Sequence, residues 1–142
     1  MSSETRTGIT VEVSVRAPIS KVWSMWTESQ HITEWYHASE EWHVPYAEND
    51  LRVGGAFTTR MAAKDGSVSF DFTGVYTKVV QNSRVDYTIP DGRKVSVTFE
   101  ETPDGVKVTE SFEAESINSI EQQRAGWQAI LDNFKKYSEE NL

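Results

Sequence analysis

The residue best placed for chemistry is a carboxylate in an apolar setting. Val106, Val108, Glu110 and Phe112 fall at alternate positions, the period of one strand face. A carboxyl on such a face must be paired, protonated, or beside water in a cavity. Buried without a cation, it is pushed into the range of a general acid or base. The competing reading is structural: a strand end or bulge turns it to solvent, or a nearby Thr, Tyr or Trp satisfies it. Glu110 is therefore a weak catalytic candidate, and the catalytic residue is otherwise unassigned.

The other ionisable clusters carry less. His31, His37 and His43 recur every six residues, with Glu34, Glu40 and Glu41 nearby. That spacing fits neither neighbours on a helix face nor close zinc-ligand pairs, so no metal is expected. His37 and His43 read as polar groups at the mouth of a cavity. Arg60 and Asp71 face each other across a hairpin and read as an exposed ion pair. Cys is absent, which excludes disulfides, thiolate nucleophiles and Cys-ligated zinc. No nucleophile elbow, phosphate loop or dinucleotide fingerprint occurs, and no cofactor is expected.

Rings are the larger signal. The chain has five Trp, five Tyr and six Phe, so its core, or a pocket in it, is built mainly from aromatic side chains. Trp35, Tyr36, Phe57, Met61, Phe70, Phe72, Tyr87 and Trp127, with Glu110, form the candidate lining for a small flat or apolar ligand. The plainer reading of the same set is a core filled by its own rings.

These residues need elements to position them. Ile9, Val11, Val13 and Val15 alternate with polar residues, which predicts a first strand. Pro18 opens a helix at its first position, with Ile19, Val22, Trp23 and Trp26 on one face. A second short helix starts at Ser29, with Ile32, Trp35 and Tyr36 on one side. From about residue 41 to 115 the chain reads as strands joined by tight turns. Asp65-Gly66 is a two-residue hairpin signal that pairs Met61 with Phe70 and Arg60 with Asp71. Phe57, Met61, Val68, Phe70 and Phe72 then share a face opposite Thr58, Arg60, Ser69, Asp71 and Thr73. Pro90-Asp91-Gly92 suits a three-residue loop that aligns Val85, Tyr87, Val95 and Val97. Near Asp104-Gly105, the expected register pairs Val97 with Phe112 and Phe99 with Glu110. Gly54-Gly55 permits a bend or bulge in a curved sheet. Ser119 to Gln122 is a capping box. The helix it opens carries Trp127, Ile130, Leu131, Phe134 and Tyr137 as one stripe, with Gln128, Asp132, Lys135 and Glu139 facing away. The predicted architecture is α+β: a curved antiparallel sheet crossed by a long C-terminal helix docked through Trp127. Trp127→Ala is expected to cost about 3–5 kcal/mol.

Composition bounds the function. The 142 residues suit one domain, 1–142. A net charge of −8 lacks the basic footprint of a nucleic-acid binder and opposes adhesion to anionic membranes. Met1 to Arg6 lack the apolar core of a signal peptide, and no stretch is long enough to span a bilayer. A cytoplasmic location follows by default.

The order strand, two short helices, antiparallel strands, long helix resembles the START-like, helix-grip superfamily. More narrowly, the chain is similar to the family of the C-terminal domain of the heat-shock ATPase activator, often grouped with polyketide cyclases. The carrying segments are Ala17 to Trp23, Trp35-Tyr36, Asn49 to Phe57, Gly74-Val75-Tyr76, and Ala125-Gly126-Trp127 with Ile130-Leu131. The resemblance implies a sheet curled around the long helix with an apolar cavity between them. It implies no shared catalytic motif. The expectation is a non-catalytic domain binding a hydrophobic or aromatic small molecule, oriented by Glu110 or a Tyr hydroxyl. Two alternatives stand beside it: a cyclase- or hydrolase-like enzyme using Glu110 or a cavity His as acid–base, and a chaperone-interacting module.

Overall fold

Alternation of apolar and polar residues produces the first strand, β1 (Gly8–Val15), in the computed structural model, which describes residues 7–141. The segment Met1 to Arg6, read above for its lack of a signal-peptide core, lies outside the described residues. Pro18 follows as the N-cap of α1 (Ile19–Thr27), one position earlier than the sequence suggests. Its extended ψ of 149° directs the chain into the helix without a side-chain cap. α2 (Ser29–Trp35) comes next and buries Ile32 and Trp35.

Six further strands run antiparallel: β2 (Trp42–Asn49), β3 (Ala56–Ala63), β4 (Ser69–Val80), β5 (Arg84–Thr88), β6 (Lys94–Thr102) and β7 (Gly105–Glu113). They form one seven-stranded sheet in the order β1-β7-β6-β5-β4-β3-β2. The last element, α3 (Ile120–Glu140), carries the capping box in full, with Ser119 and Gln122 reciprocally bonded. At 1.5 Å per residue it is roughly 32 Å long. It lies across the concave side of the sheet and packs along β1. This is the helix-grip arrangement.

Two of the three hairpin registers hold as expected. Arg60 pairs with Asp71 and Met61 with Phe70. Val85 pairs with Val97 and Tyr87 with Val95, around a three-residue loop in which Gly92 takes φ 91°. The β6–β7 register differs by two residues: Val97 faces Glu110 and Phe99 faces Val108. The turn sits one residue earlier than expected, since Thr102 already pairs with Gly105 across Pro103-Asp104. A shift of two keeps side-chain parity, so Glu110 stays on the apolar face.

Gly54 and Gly55 shape the turn before β3 rather than a bulge within it. Gly54 adopts φ 84°, and a Cβ on Gly55 would lie 2.1 Å from the Asp50 carbonyl oxygen. The bulges fall elsewhere, between His43 and Tyr46 beside Pro45, and between Tyr76 and Lys78.

The core is centred lower on α3 than the stripe suggests. Leu131 and Phe134 are fully buried, whereas Trp127 is only half-buried. Phe134 meets Trp26 and Trp35 edge-on, and Trp23 and Trp26 pack on Phe99. The helix face expected to point away is not free either. Gln128 donates to the Glu12 carbonyl, Lys135 to the Ser14 carbonyl, and Glu139 accepts from the Arg16 N–H. α3 thereby closes the edge strand β1, whose backbone groups would otherwise be open to pairing.

Candidate functional site

Below Trp127 the half-barrel is packed; above it the half-barrel is open. A cleft of about 490 Å³ lies between the N-terminal half of α3 and the β3–β4 hairpin. Its ring and apolar wall comes from Tyr36, Trp42, Met61, Phe70, Phe72, Trp127 and Ile130. Trp127 stacks on Phe112, with centroids 3.8 Å apart and planes 12° apart, and meets Phe72 edge-on. The space directly under Trp127 is thus filled by Phe112, and the opening is beside it. Phe70, expected to line the interior, stands at the mouth, half exposed and edge-on to Trp42. Val68, on the same hairpin, is equally exposed.

A polar end closes the cleft at the β7–α3 loop. Gln123 is buried and bonds three ways: its Oε1 accepts from the Glu115 N–H, and its Nε2 donates to the carbonyls of Glu115 and Asn118. Glu115 in turn accepts from Ile117, Asn118 and the Asn118 side chain, which holds its carboxyl below the usual range. Arg93, also in this wall, donates to Asp91 and to the Glu113 carbonyl.

His37 belongs to the cleft wall as well. Asn133 donates to the Trp35 carbonyl at 2.7 Å and lies 3.3 Å from His37 Nε2. The fixed amide makes Nε2 the acceptor and assigns the proton to Nδ1, which is buried without a partner. Burial, and then the nearby Lys64, pull the imidazole below its ordinary range. His31 instead bonds the Tyr137 hydroxyl at 2.6 Å, tying α2 to α3, and His43 is exposed on β2. Among the described residues no three His, Asp or Glu side chains gather as a metal site.

A second, smaller space lies deeper. It measures about 30 Å³, room for a water or two, and is lined by Trp26, Tyr36, Asn49, Phe57, Thr59, Tyr76 and Tyr87 among others. Tyr76 donates to Asn49 Oδ1, and Asn49 donates to the Thr27 carbonyl. Phe57 reaches this wall because Gly74 sits opposite it; a Cβ there would lie 2.5 Å from the ring. Tyr36 lines both spaces.

Glu110 is 2% exposed, between Val11 on β1 and Val97 on β6. Burial pushes its carboxyl up to about 8, so it is neutral at pH 7. It is in the wall of neither the cleft nor the inner space. The nearest ionisable groups are the hydroxyls of Tyr36 and Tyr87. Both are raised by burial first; Glu110 then adds to the effect on Tyr36, Tyr36 and Glu110 add to that on Tyr87, and a hydrogen bond links the two hydroxyls. Trp35, another candidate, is completely buried; its Nε1 donates to the Met25 carbonyl and its ring packs on Phe134. Arg60 and Asp71 form the exposed bidentate pair on the outer face, at 2.8 and 3.3 Å, with Tyr46 beneath the guanidinium.

The structure therefore gathers Tyr36, Met61, Phe70, Phe72 and Trp127 around the cleft, and Tyr36, Phe57 and Tyr87 around the inner space. Sequence reasoning missed Trp42, Arg93, Gln122, Gln123 and Ile130 in the cleft wall, and Asn49, Thr59 and Tyr76 in the inner one. Gln123 was findable: it lies four residues before Trp127, on the same helix face.

Comparison with known proteins adds the relatives. The family model for activator of Hsp90 ATPase homolog 1-like proteins matches residues 16–139. The solution structure of an AHSA1-like protein from Aeromonas hydrophila is 45% identical, covers 94% of this chain and 93% of its own, and superposes with a TM-score of 0.90. A protein from Cytophaga hutchinsonii is 58% identical over 94% of this chain and 92% of its own, with a TM-score of 0.81. One from Nitrosomonas europaea shares the fold at 19% identity, over 95% of this chain and 96% of its own, with a TM-score of 0.81. No curated protein matches.

Proposed function

Because the chain belongs to the activator of Hsp90 ATPase homolog 1-like family, and its helix-grip fold leaves one end of the half-barrel open, we propose that it binds a small hydrophobic, ring-containing molecule in the cleft between α3 and the β3–β4 hairpin. The observation that carries this reading is the cleft itself. About 490 Å³ is within the size range of small-molecule sites, and rings with a few placed polar groups are their usual lining. A chain built only for stability would close Phe70 and Trp127 against each other.

Catalysis by Glu110 has no geometric support, since the carboxyl lines neither the cleft nor the inner space as they stand. The outer sheet face mixes Thr58, Arg60, Asp71 and Thr73 with the exposed Tyr46 and Val75 rather than presenting a continuous apolar patch.

The test is a library of aromatics, lipids and polyketides screened by ligand-observed NMR and thermal shift. Binders should raise Tm and move the Met61 and Ile130 methyl signals. A folded protein that responds to none of them would sink the proposal.

A further inference from the structure

The inner space and the cleft share one wall, Tyr36. That side chain follows the last helical residue of α2, outside the helix; it packs on Trp35 at 5.0 Å and Phe72 at 6.0 Å, and its hydroxyl is linked to that of Tyr87 behind it. Behind it sit Tyr87, whose hydroxyl is released if Tyr36 moves, and a carboxyl that burial alone perturbs. Glu110 has no hydrogen-bond partner among the described residues, although it is almost completely buried. Tyr87 lies across β6 from Glu110's strand, on the same face of the sheet. A buried polar group without a partner is rare and calls for an explanation. Structure alone does not supply one, because an apolar side chain would suit the row Val11, Glu110, Val97, Val85 better.

We infer that Tyr36 is a gate, and that when it swings aside the cleft extends into a deeper chamber where Glu110 and the Tyr87 hydroxyl donate to an acceptor oxygen of the ligand. The ligand class is an uncharged aromatic ketone: rings in the cleft, carbonyl at the inner end. This rests on the cleft being the binding site. A carboxylate is disfavoured because no cation among the described residues acts on the groups at the inner end. The titratable groups there are Glu110 on β7, Tyr36 after α2, Tyr76 on β4 and Tyr87 on β5. The side chains facing Glu110 from β1 and β6 are Val11 and Val97. All four titratable groups are donors in their neutral forms.

The sign of the pH dependence follows. Glu110 donates only while protonated, so the preference for a carbonyl should hold below about pH 8 and fade above it. The probes are benzophenone and diphenylmethane, which differ in the carbonyl alone, titrated by methyl-detected NMR at pH 6.5 and 9.5. Circular dichroism confirms folding at each pH. At pH 6.5 benzophenone should bind about tenfold tighter, the value of one good hydrogen bond. At pH 9.5 the advantage should shrink severalfold. Glu110→Gln keeps a donor without a titrating proton, so it should keep the preference and lose its pH dependence. Glu110→Leu should cut benzophenone's advantage severalfold and make what Tyr87 still supplies the same at both pH values. Tyr36→Ala should raise the association rate of benzophenone. Equal, pH-independent affinities for both probes, with shifts at Met61 and Ile130, would overturn the chamber and leave the cleft reading standing. No shift with either probe also overturns the chamber, while the library screen above still decides the cleft.

Discussion

Glu110 keeps its proton because burial penalises the carboxylate and no cation among the described residues offsets it. Its value of about 8 against 4.5 in an open chain means that the folded state holds a proton the unfolded state has lost between those limits. Stability contributed by the neutral carboxyl is present in full below about pH 4.5 and is lost as pH rises through about 8. Glu110→Leu removes the titrating group and leaves an apolar row. It should stabilise the protein by about 1–3 kcal/mol at pH 7 and by little at pH 4.5. Urea unfolding at the two pH values reads this directly. A destabilised Leu variant at pH 7 would show that the carboxyl makes a bond that offsets its burial. His37 shows the same scale from the other side. Its spacing to His31 and His43 suggested nothing, because its role is set by Asn133, 96 residues away.

At the scale of elements, α3 divides in two. Its C-terminal half is anchored by Leu131 and Phe134, both without exposed surface, and its N-terminal half borders the cleft. Leu131→Ala should cost about 2–5 kcal/mol and Phe134→Ala about 3–5 kcal/mol. Trp127→Ala should cost less than the sequence alone implies, about 1–3 kcal/mol, because part of the ring already faces the opening. Denaturant unfolding of the three variants ranks them; a Trp127 variant as damaging as the Phe134 one would mean that the upper half carries the docking. The stripe itself was legible, since a 3.6-residue period is local. Which residues of the stripe reach the floor was not, because that depends on how far the sheet curls away at β3 and β4. The β6–β7 register shows a related limit. Alternation reveals which face Glu110 is on, but a slip of two leaves alternation unchanged, and only the turn at Pro103-Asp104 decides between the two pairings. The two other hairpins carried their register in Gly66 and Gly92, whose positive φ marks the turn position.

Over the whole molecule, the packed and open ends meet at a single helical glycine. Gly126 lies inside α3 and in the cleft wall, and a Cβ added there would meet nothing within 4 Å. No crowding requires glycine at this position. Its cost in a helix interior is about 0.5–1 kcal/mol relative to Ala, and nothing in the packing returns it. Glycine here lowers stability without relieving any contact, which agrees with the proposal that the space beside Trp127 is a binding site. Gly126→Ala should stabilise the protein by about 0.5–1 kcal/mol. Gly126→Leu should fold at least as well as the parent while projecting its side chain across the cleft, and should abolish the methyl shifts produced by any ligand found in the screen. Thermal unfolding measures the first effect and the NMR titration the second. A Leu variant that folds and still binds with parental affinity would place the ligand away from α3, and the cleft reading would fail with it.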